Sequence, residues 1–225
     1  MMRRIAAKFG DGCLMICRKD QGALNFLGTC FVCHSRGYVL TAAHNLNLTD
    51  EIVIAQGQPI AAFAALTTTS LPVVPASVAQ YDATNDVALL KLGSQTWGVV
   101  PSDLFGASKE IPVGASVGYI GFPFGDRGLH VPKFGAGVVS AKVTSSSNTR
   151  QIQFDAMVHA GGSGGPLIDA NTAQIVGIVS GRFSPTGSDA VISIGSHRLG
   201  QDSTISYAST IEYGLELMRA EGIHV

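Results

Sequence analysis

The chain has 225 residues, of which 46% are apolar, and carries a formal net charge of −1. This length and apolar content suffice for a packed core of one large or two small domains. Lysines and arginines are scattered, which argues against a nucleic-acid or membrane surface as the main partner. No stretch approaches the roughly 20 apolar residues of a spanning helix, and no signal peptide is visible. We therefore expect a cytoplasmic protein, with a secreted or periplasmic location as the alternative.

All four cysteines lie near the start of the chain: Cys13, Cys17, Cys30 and Cys33. Their CxxxC and CxxC spacing is compatible with a zinc site, but both pairs lie inside apolar runs that lack the usual glycine turns between ligands. We expect buried, reduced thiols, no metal and no cofactor. A disulfide between Cys13 and Cys30 across a hairpin is left open.

Short runs rich in valine, isoleucine, leucine and phenylalanine, separated by glycine, proline, asparagine and aspartate, predict an all-β chain. In chain order these runs are residues 13–19, 24–34, 38–43, 51–56, 86–92, 116–122, 135–143, 150–158 and 174–181. Many closely spaced short strands are typical of a sandwich or of barrels. Residues 96–114 have turn chemistry without clear periodicity, so we expect them to join two β halves.

A clear helical pattern occurs only at the end of the chain, over residues 209–222. Ser209 and Glu212 have the spacing of a capping box, and Gly222 marks a stop. Apolar side chains recur on one face between them. The sequence therefore predicts a single C-terminal helix.

Residues 160–167 read AGGSGGPL, which sets Ser163 among four glycines. The string also fits the G-x-S-x-G pattern of α/β-hydrolases, for which Asp189 and His197 would be the downstream partners. That pattern requires a helix directly after the serine. Pro166 followed by LID predicts a strand instead, so the hydrolase interpretation fails.

Two upstream blocks supply the partners in a different order. YVLTAAHNL predicts a strand that ends in His44, and NDVALLKL places Asp86 directly before an apolar strand. Asp82 is near the same block but precedes the strand by five residues, so Asp86 is the better candidate acid. The order His, Asp, Ser is that of chymotrypsin and differs from that of subtilisin.

The blocks LTAAH, DVALLKL, GGSGGPL and GIVSG resemble those of chymotrypsin-fold (trypsin-like) serine peptidases. IGFPFG, GVVSA and the residues leading to Ser163 resemble the Htr/Deg-type branch most, and we expect the peptidase domain of that branch without a peptide-binding PDZ domain. The resemblance spans roughly residues 12–215 and implies two six-stranded antiparallel β-barrels packed side by side, with a C-terminal helix. In a single peptidase domain of residues 1–225, the expected parts are an N-terminal barrel over about 12–95, a linker over about 96–112, a C-terminal barrel over about 113–208 and the helix over 209–222.

The resemblance implies a serine endopeptidase whose partner is a polypeptide substrate. Ser163 would attack the peptide carbonyl and form an acyl-enzyme, His44 would carry the proton, and Asp86 would orient His44. The backbone N–H groups of Gly161 and Ser163 would form the oxyanion hole. A catalytically silent binding or scaffolding module on the same fold is the alternative.

By the same resemblance, eight residues line the substrate pocket: Met157, Val158, His159, Ser180, Gly181, Arg182, Tyr207 and Ala208. Met157 occupies the place of trypsin's acidic residue, so we expect cleavage after small or medium apolar residues and not after lysine or arginine. Recognition of an acidic residue by His159 and Arg182 is the alternative. Ser180 is expected to lie near Asp86 and help to hold it.

Two positions depart from the patterns of the family. Gly162 replaces the aspartate that precedes the serine in digestive enzymes and the asparagine usual in the Htr/Deg branch. Asn45 replaces the disulfide-forming cysteine that usually follows the histidine. These departures leave open what keeps the oxyanion loop ordered, including the alternative that it orders only when substrate binds.

Overall fold

The computed structural model describes residues 1–67, 70–93, 100–182, 192–194, 197–199 and 204–225. Within these residues the chain forms two closed antiparallel barrels of six strands each. The predicted all-β architecture of two six-stranded barrels with a C-terminal helix is therefore confirmed. Of the expected linker, residues 96–99 lie outside the described residues, and residues 100–112 run between the barrels without forming a strand.

The first barrel takes up residues 13–92. Its strands are β1 (Cys13–Asp20), β2 (Ala23–His34), β3 (Tyr38–Thr41), β4 (Ile52–Gln56), β5 (Val73–Asp82) and β6 (Val87–Leu92). They are hydrogen-bonded in the order β1-β2-β3-β6-β5-β4, and β4 pairs with β1 to close the barrel. Leu14, Ile16, Cys30, Ile54 and Leu90 belong to the buried cluster of this barrel.

Strand β5 is the one barrel strand of residues 13–92 that the apolar runs did not predict. It contains Pro75, which lacks an N–H for the ladder and lowers the strand propensity of the segment. In the structure Pro75 pairs with Val53 of β4, and its carbonyl accepts a hydrogen bond from Gly93. Closure of the barrel thus overrides the weak local preference.

The second barrel takes up residues 116–210. Its strands are β7 (Ser116–Gly121), β8 (Lys133–Thr144), β9 (Arg150–Asp155), β10 (Pro166–Asp169), β11 (Gln174–Arg182) and β14 (Ile205–Thr210), in the order β10-β11-β14-β9-β8-β7. Two short strands, β12 (Ile192–Ile194) and β13 (His197–Leu199), pair with each other. The β10 strand directly after the serine segment agrees with the rejection of a hydrolase elbow, whose partner Asp189 lies outside the described residues.

A shared apolar cluster joins the two barrels. It includes Leu40 and Leu89 of the first barrel, Ile120 and Ile178 of the second, and Met218 of the C-terminal helix, all without exposed surface. Because each barrel has a further core cluster of its own, this third cluster is the apolar contact that sets one barrel against the other.

Helix α1 (Met2–Phe9) was not predicted from the sequence. Its signal is short: Ile5 and Phe9, one helical turn apart, are the two side chains that it buries in the shared cluster. The helix carries no N-terminal side-chain cap and no acidic residue in its first turn. Tertiary packing of one apolar face, rather than local propensity, therefore accounts for it.

Helix α2 (Ile211–Ala220) is two residues shorter at each end than the expected span. The predicted capping box is wrong because Thr210 is the N-cap and Ser209 remains in β14. Glu212 instead accepts hydrogen bonds from the backbone N–H and hydroxyl of Ser108 at 2.9 and 2.6 Å. Burial alone would raise the pKa of Glu212, but these hydrogen bonds outweigh it and lower the pKa. Gly222, with φ +67°, follows the helix where a stop was expected.

Among the helices of the described residues, none is long and apolar enough to cross a membrane.

Candidate active site

Three side chains from distant parts of the sequence form one hydrogen-bonded chain. Ser163 Oγ lies 2.7 Å from His44 Nε2. His44 Nδ1 lies 2.9 Å from each oxygen of the Asp86 carboxylate. His44 and Asp86 come from the first barrel and Ser163 from the second, so the site lies between the barrels.

His44 lies in a short 3-10 turn, Ala43–Asn45, directly after strand β3. Strand β3 is paired on both sides, with β2 and with β6, so the start of this turn is fixed by the barrel. The backbone N–H of His44 also donates to Asp86 Oδ1 at 2.9 Å. Asp86 therefore orients the ring and the backbone of His44 together.

Asp86 ends the hairpin loop between β5 and β6. Its backbone has a φ of +57°, a left-handed conformation that aspartate tolerates better than most residues. Asp82 shapes this loop by accepting the N–H groups of Thr84 and Asn85, each at 3.0 Å. Asp82 thus holds the turn, and Asp86 is the carboxylate that contacts His44.

The second barrel supports the same loop through two hydroxyl groups. Thr149 Oγ1 donates to the Thr84 carbonyl at 3.0 Å, and Ser209 Oγ donates to the Asn85 carbonyl at 2.7 Å. Ser180 Oγ lies 3.3 Å from Ser209 Oγ. The expectation that Ser180 holds Asp86 needs correction, because its hydroxyl meets Ser209 and reaches the Asp86 loop only through that residue.

Ser163 lies in the turn between β9 and β10, and two glycines flank it in left-handed backbone. Gly161 has a φ of +89° and Gly164 a φ of +86°. A Cβ at Gly164 would collide with the Thr29 carbonyl and the Thr41 hydroxyl. Gly164 N–H donates to the Val179 carbonyl at 2.7 Å, which ties the turn to β11. Position 164 therefore requires glycine, because the positive φ and the contacts with Thr29 and Thr41 both exclude a side chain.

Two backbone N–H groups beside the serine are left without a partner. Among the described residues, the N–H groups of Gly161 and Ser163 have no hydrogen-bond acceptor. The carbonyl of Ala160 accepts from Phe124 N–H at 2.8 Å. Since N–H and C=O point in opposite directions across a trans peptide, this contact turns Gly161 N–H away from Phe124. Two such free donors can stabilise a negatively charged oxygen.

The expected pocket wall before the serine combines buried and exposed residues. Val158 is 4% exposed and packs into the core of the second barrel. The Met157 carbonyl accepts from the Tyr119 hydroxyl at 3.2 Å. The exposed imidazole of His159 lies 5.0 Å from the Phe124 ring, centroid to centroid. His159 therefore has an aromatic neighbour on one side and solvent on another.

The opposite wall comes from the ends of β11 and β14, which pair through Gly181 and Tyr207. The Ser180 carbonyl oxygen lies 2.9 Å from Ser163 Oγ. The Tyr207 ring lies over the position that a Gly181 side chain would occupy. Burial, and then the nearby charge of Asp86, raise the pKa of Tyr207. Arg182 is half-buried at the end of β11.

Ala208 has no exposed surface and packs in the core of the second barrel. Ala208 can therefore support the pocket wall only from the core side, and we no longer expect it to contact substrate directly. Ser206, which the sequence reasoning did not single out, joins this strand to the other wall. Its hydroxyl donates to the Ala156 carbonyl at 2.7 Å and accepts from Val158 N–H at 3.2 Å.

A model of the trypsin-like peptidase domain matches residues 28–178, which is more than half of the chain and includes all three side chains of the hydrogen-bonded chain. The chain belongs to the trypsin-like peptidase family. The resemblance on which the sequence analysis relied is thereby confirmed. The matched residues begin in β2 and end in β11, so the match includes parts of both barrels.

Several named proteins resemble this trypsin-like peptidase domain. A probable periplasmic DegP-like serine endoprotease from a Pseudomonas putida strain is 34% identical over 165 residues, 72% of this chain and 30% of the relative. An uncharacterised protein, y4bJ, from Sinorhizobium fredii is 29% identical over 172 residues, 76% of this chain and 24% of the relative. The chain thus spans less than a third of the length of either curated relative.

Solved structures show the same fold. The HtrA-type protease AlgW with a tripeptide superposes with a TM-score of 0.73 at 22% identity, over 98% of this chain and 63% of that one. A serine endoprotease from Yersinia pestis gives a TM-score of 0.69 at 18% identity, over 98% of this chain and 66% of that one. At these identities the similarity establishes the two-barrel fold alone.

The four cysteines of this peptidase domain are buried and free, so they form no disulfide with one another. Burial raises the pKa of Cys17 to about 11 and that of Cys13 above the range in which thiols ordinarily ionise. Thiols of this kind are poor nucleophiles and poor metal ligands at neutral pH. Within the described part of the chain, no group of three or more histidine, cysteine or acidic side chains is arranged to hold a metal ion.

Proposed function

We propose that this domain is a serine endopeptidase that hydrolyses polypeptides through an acyl-enzyme. The observation that carries the proposal is the continuous chain Ser163–His44–Asp86, with distances of 2.7 and 2.9 Å, beside two N–H groups that lack acceptors in the described residues. A binding module without catalytic activity would not require all of these groups to lie together in this arrangement.

In the first half of the reaction, Ser163 Oγ attacks the substrate carbonyl carbon while His44 Nε2 takes the hydroxyl proton. The carbonyl oxygen becomes negatively charged, and the N–H groups of Gly161 and Ser163 stabilise it. His44 then returns the proton to the leaving amine, the C–N bond breaks and the acyl-serine remains. Water then attacks the acyl-serine from the place that the amine has left, and His44 takes its proton. His44 returns this proton to Ser163 Oγ as the ester bond breaks and the peptide acid is released.

Asp86 has two tasks in this mechanism. It accepts the Nδ1 hydrogen of His44, so that Nε2 is free to accept the serine proton, and it stabilises the imidazolium that forms. Its additional bond to the His44 backbone, at 2.9 Å, keeps the ring centred as the charge changes. The protonated ring lies in a partly open site, with 49% of the His44 side chain exposed.

For specificity, we favour a small or medium apolar residue on the acyl side of the scissile bond. Met157, Val158, Gly181 and Tyr207 provide no carboxylate to pair with a lysine or arginine side chain. The Ser206 hydroxyl is already hydrogen-bonded to the Ala156 carbonyl and to the Val158 N–H of the opposite wall, so it is not available to a substrate cation. Recognition of an acidic residue by His159 and Arg182 is the less favoured alternative, because the His159 ring lies against Phe124.

For location, we favour the periplasmic alternative over the cytoplasm. The supporting fact is the name of the DegP-like relatives, which are described as periplasmic endoproteases. No similar fact supports the cytoplasmic expectation. Fractionation of cells that express the full gene product, with periplasmic and cytoplasmic marker enzymes followed in parallel, tests this assignment.

A serine-directed fluorophosphonate tests the proposed chemistry. We expect the wild-type protein to be labelled covalently and to hydrolyse fluorescently labelled casein, and Ser163→Ala to do neither. Loss of the nucleophile should reduce turnover by on the order of 10⁶. Ser140→Ala, a change of an exposed serine on β8, is the matched control and should behave as wild type. Equal labelling of wild type and Ser163→Ala, or no labelling of either, would favour the silent binding module.

A further inference from the structure

The oxyanion loop, residues 160–165, contains four glycines and one serine besides Ala160, and so has almost no side chains of its own to hold it. The two proposed donors belong to the peptides 160–161 and 162–163. The carbonyls of Gly161 and Ser163 belong to the peptides that follow each donor. Fixing these two carbonyls holds the peptide that follows each donor residue, so a donor can turn only by a change in the φ and ψ of its own residue.

Thr29, on strand β2 of the first barrel, contacts both carbonyls. Its hydroxyl donates to the Gly161 carbonyl at 2.6 Å, and its backbone N–H donates to the Ser163 carbonyl at 2.9 Å. The same hydroxyl accepts from Phe122 N–H at 3.0 Å, which leaves its hydrogen directed at Gly161. Thr29 has no exposed surface, so water cannot substitute for these bonds without entering the core.

Asn45 supplies a second bond to the Ser163 carbonyl. Its Nδ2 donates to that carbonyl at 3.0 Å and lies 3.2 Å from the Thr41 hydroxyl, which donates to the Thr29 carbonyl at 2.7 Å. Asn45 is 8% exposed, and Thr41 has no exposed surface. The Asn45 amide packs against Gly28, in the space that a Cβ at this position would occupy. Thr29, Thr41 and Asn45 thus form one buried network.

We infer that Thr29, assisted by Asn45, is a positioning residue for the oxyanion hole. The inference rests on the proposed function, and Thr29 acts through Gly161 and Ser163 without touching substrate. It also answers the question raised by Gly162: the side chain that this position lacks is replaced by hydrogen bonds from the other barrel. The loop is therefore held in place before substrate binds.

The test compares Thr29→Val, which removes the hydroxyl but keeps the shape, with Thr29→Ser, which keeps the hydroxyl. We expect Thr29→Val to lower kcat for a chromogenic peptide ester that ends in valine by at least about 10-fold, with KM changed less than about 3-fold, because loss of a full donor costs about 10² to 10³. Thr29→Ser should stay within about 3-fold of wild type, since it can make the same bond. Thr172→Val, whose hydroxyl lies 3.3 Å from Asp169 Oδ2 in the turn after β10, controls for loss of a threonine hydrogen bond elsewhere.

A tripeptide aldehyde ending in valine separates positioning from a general structural effect. The aldehyde forms a hemiacetal whose oxygen requires the donors, whereas the corresponding peptide alcohol has no carbonyl group and forms no oxyanion. Thr29→Val should weaken the affinity for the aldehyde by the same factor as kcat/KM and leave the affinity for the alcohol within about 2-fold. The shape of the pH profile of kcat/KM should not change, because His44 and Asp86 are untouched.

Several outcomes overturn the inference. If Thr29→Val keeps wild-type kcat, or weakens binding of the alcohol as much as binding of the aldehyde, Thr29 does not position the donors. If Thr29→Val does not fold, Asn45→Ala is used in the same pair of measurements, and equal aldehyde binding to wild type then refutes the network. A wild type that neither hydrolyses the ester nor reacts with fluorophosphonate refutes the proposed function itself, and the inference with it.

Discussion

The two loops that carry the candidate catalytic groups are held in opposite ways. The acid loop, residues 82–86, is shaped by its own side chain Asp82 and receives two further bonds from Thr149 and Ser209 of the second barrel. The oxyanion loop, residues 160–165, has no such side chain and takes its side-chain bonds from Thr29 and Asn45 of the first barrel. Each barrel therefore supports the catalytic loop of the other.

The difference between these loops concerns where the support acts. In the acid loop the second barrel binds the carbonyls of Thr84 and Asn85, which precede Asp86. In the oxyanion loop the first barrel binds the carbonyl of Ser163 itself. We therefore expect the nucleophile side to be more sensitive than the acid side to the loss of a contact between barrels, while the carboxylate itself remains indispensable.

Among the changes that compare the two loops, the largest expected effect comes from Asp86→Asn. The amide keeps the shape of the side chain but can donate to His44 Nδ1, which favours the wrong tautomer, so we expect kcat to fall by about 10⁴. Initial rates of peptide ester hydrolysis at neutral pH measure the loss.

Asp82→Asn is the matched control from the same loop. An amide oxygen at this position still accepts the N–H groups of Thr84 and Asn85, so the loss should stay below about 10-fold. Comparable losses of kcat in the two variants would contradict the assignment of Asp82 to the shape of the loop and of Asp86 to the chemistry.

A second experiment uses two glycines with the same backbone angle, Gly164 and Gly22, both with a φ of +86°. Alanine at either position costs about 1–2 kcal/mol for the left-handed backbone. At Gly22 a Cβ meets open space, whereas at Gly164 it collides with Thr29 and Thr41. Overpacking should add about 1–3 kcal/mol at Gly164 alone.

We expect Gly164→Ala also to lower kcat by about 10² or more, since the displaced loop misdirects the oxyanion donors. Gly22→Ala should leave kcat unchanged. Urea unfolding of both variants separates the shared backbone cost from the collision. If the two variants lose equal stability, Gly164 does not pack against the first barrel as closely as described.

Much of this architecture could be predicted from the sequence. Apolar runs with turn residues between them predicted ten of the twelve barrel strands, counting the LID segment after Pro166, and the order of three motif blocks predicted which residues would meet. These features are local. Each strand or motif can be recognised within about ten residues of sequence, so it can be predicted without knowledge of the rest of the fold.

The features that were missed depend on contacts between distant segments. Strand β5 contains Pro75 and forms because the barrel closes, and α1 forms because Ile5 and Phe9 pack into the shared cluster. Thr29 has no motif of its own. Its role depends on the register that brings β2 beside residues 161 and 163, which a single sequence does not reveal. Ser209 was assigned to a helix cap because its spacing to Glu212 fits, although β14 extends through it.

The smallest expected effect concerns the acid loop and bears directly on the comparison. Thr149 is 2% exposed, and its hydroxyl donates to the Thr84 carbonyl at 3.0 Å, two residues before Asp86. Thr149→Val should destabilise the domain by about 1 kcal/mol, as expected for one lost hydrogen bond. The Asp86 carboxylate keeps its two contacts with His44, so kcat should fall by no more than about 3-fold. Measured in the same ester assay, Thr149→Val must lose less activity than Thr29→Val. The opposite order would mean that the acid loop, despite Asp82, is the one that depends more on the other barrel.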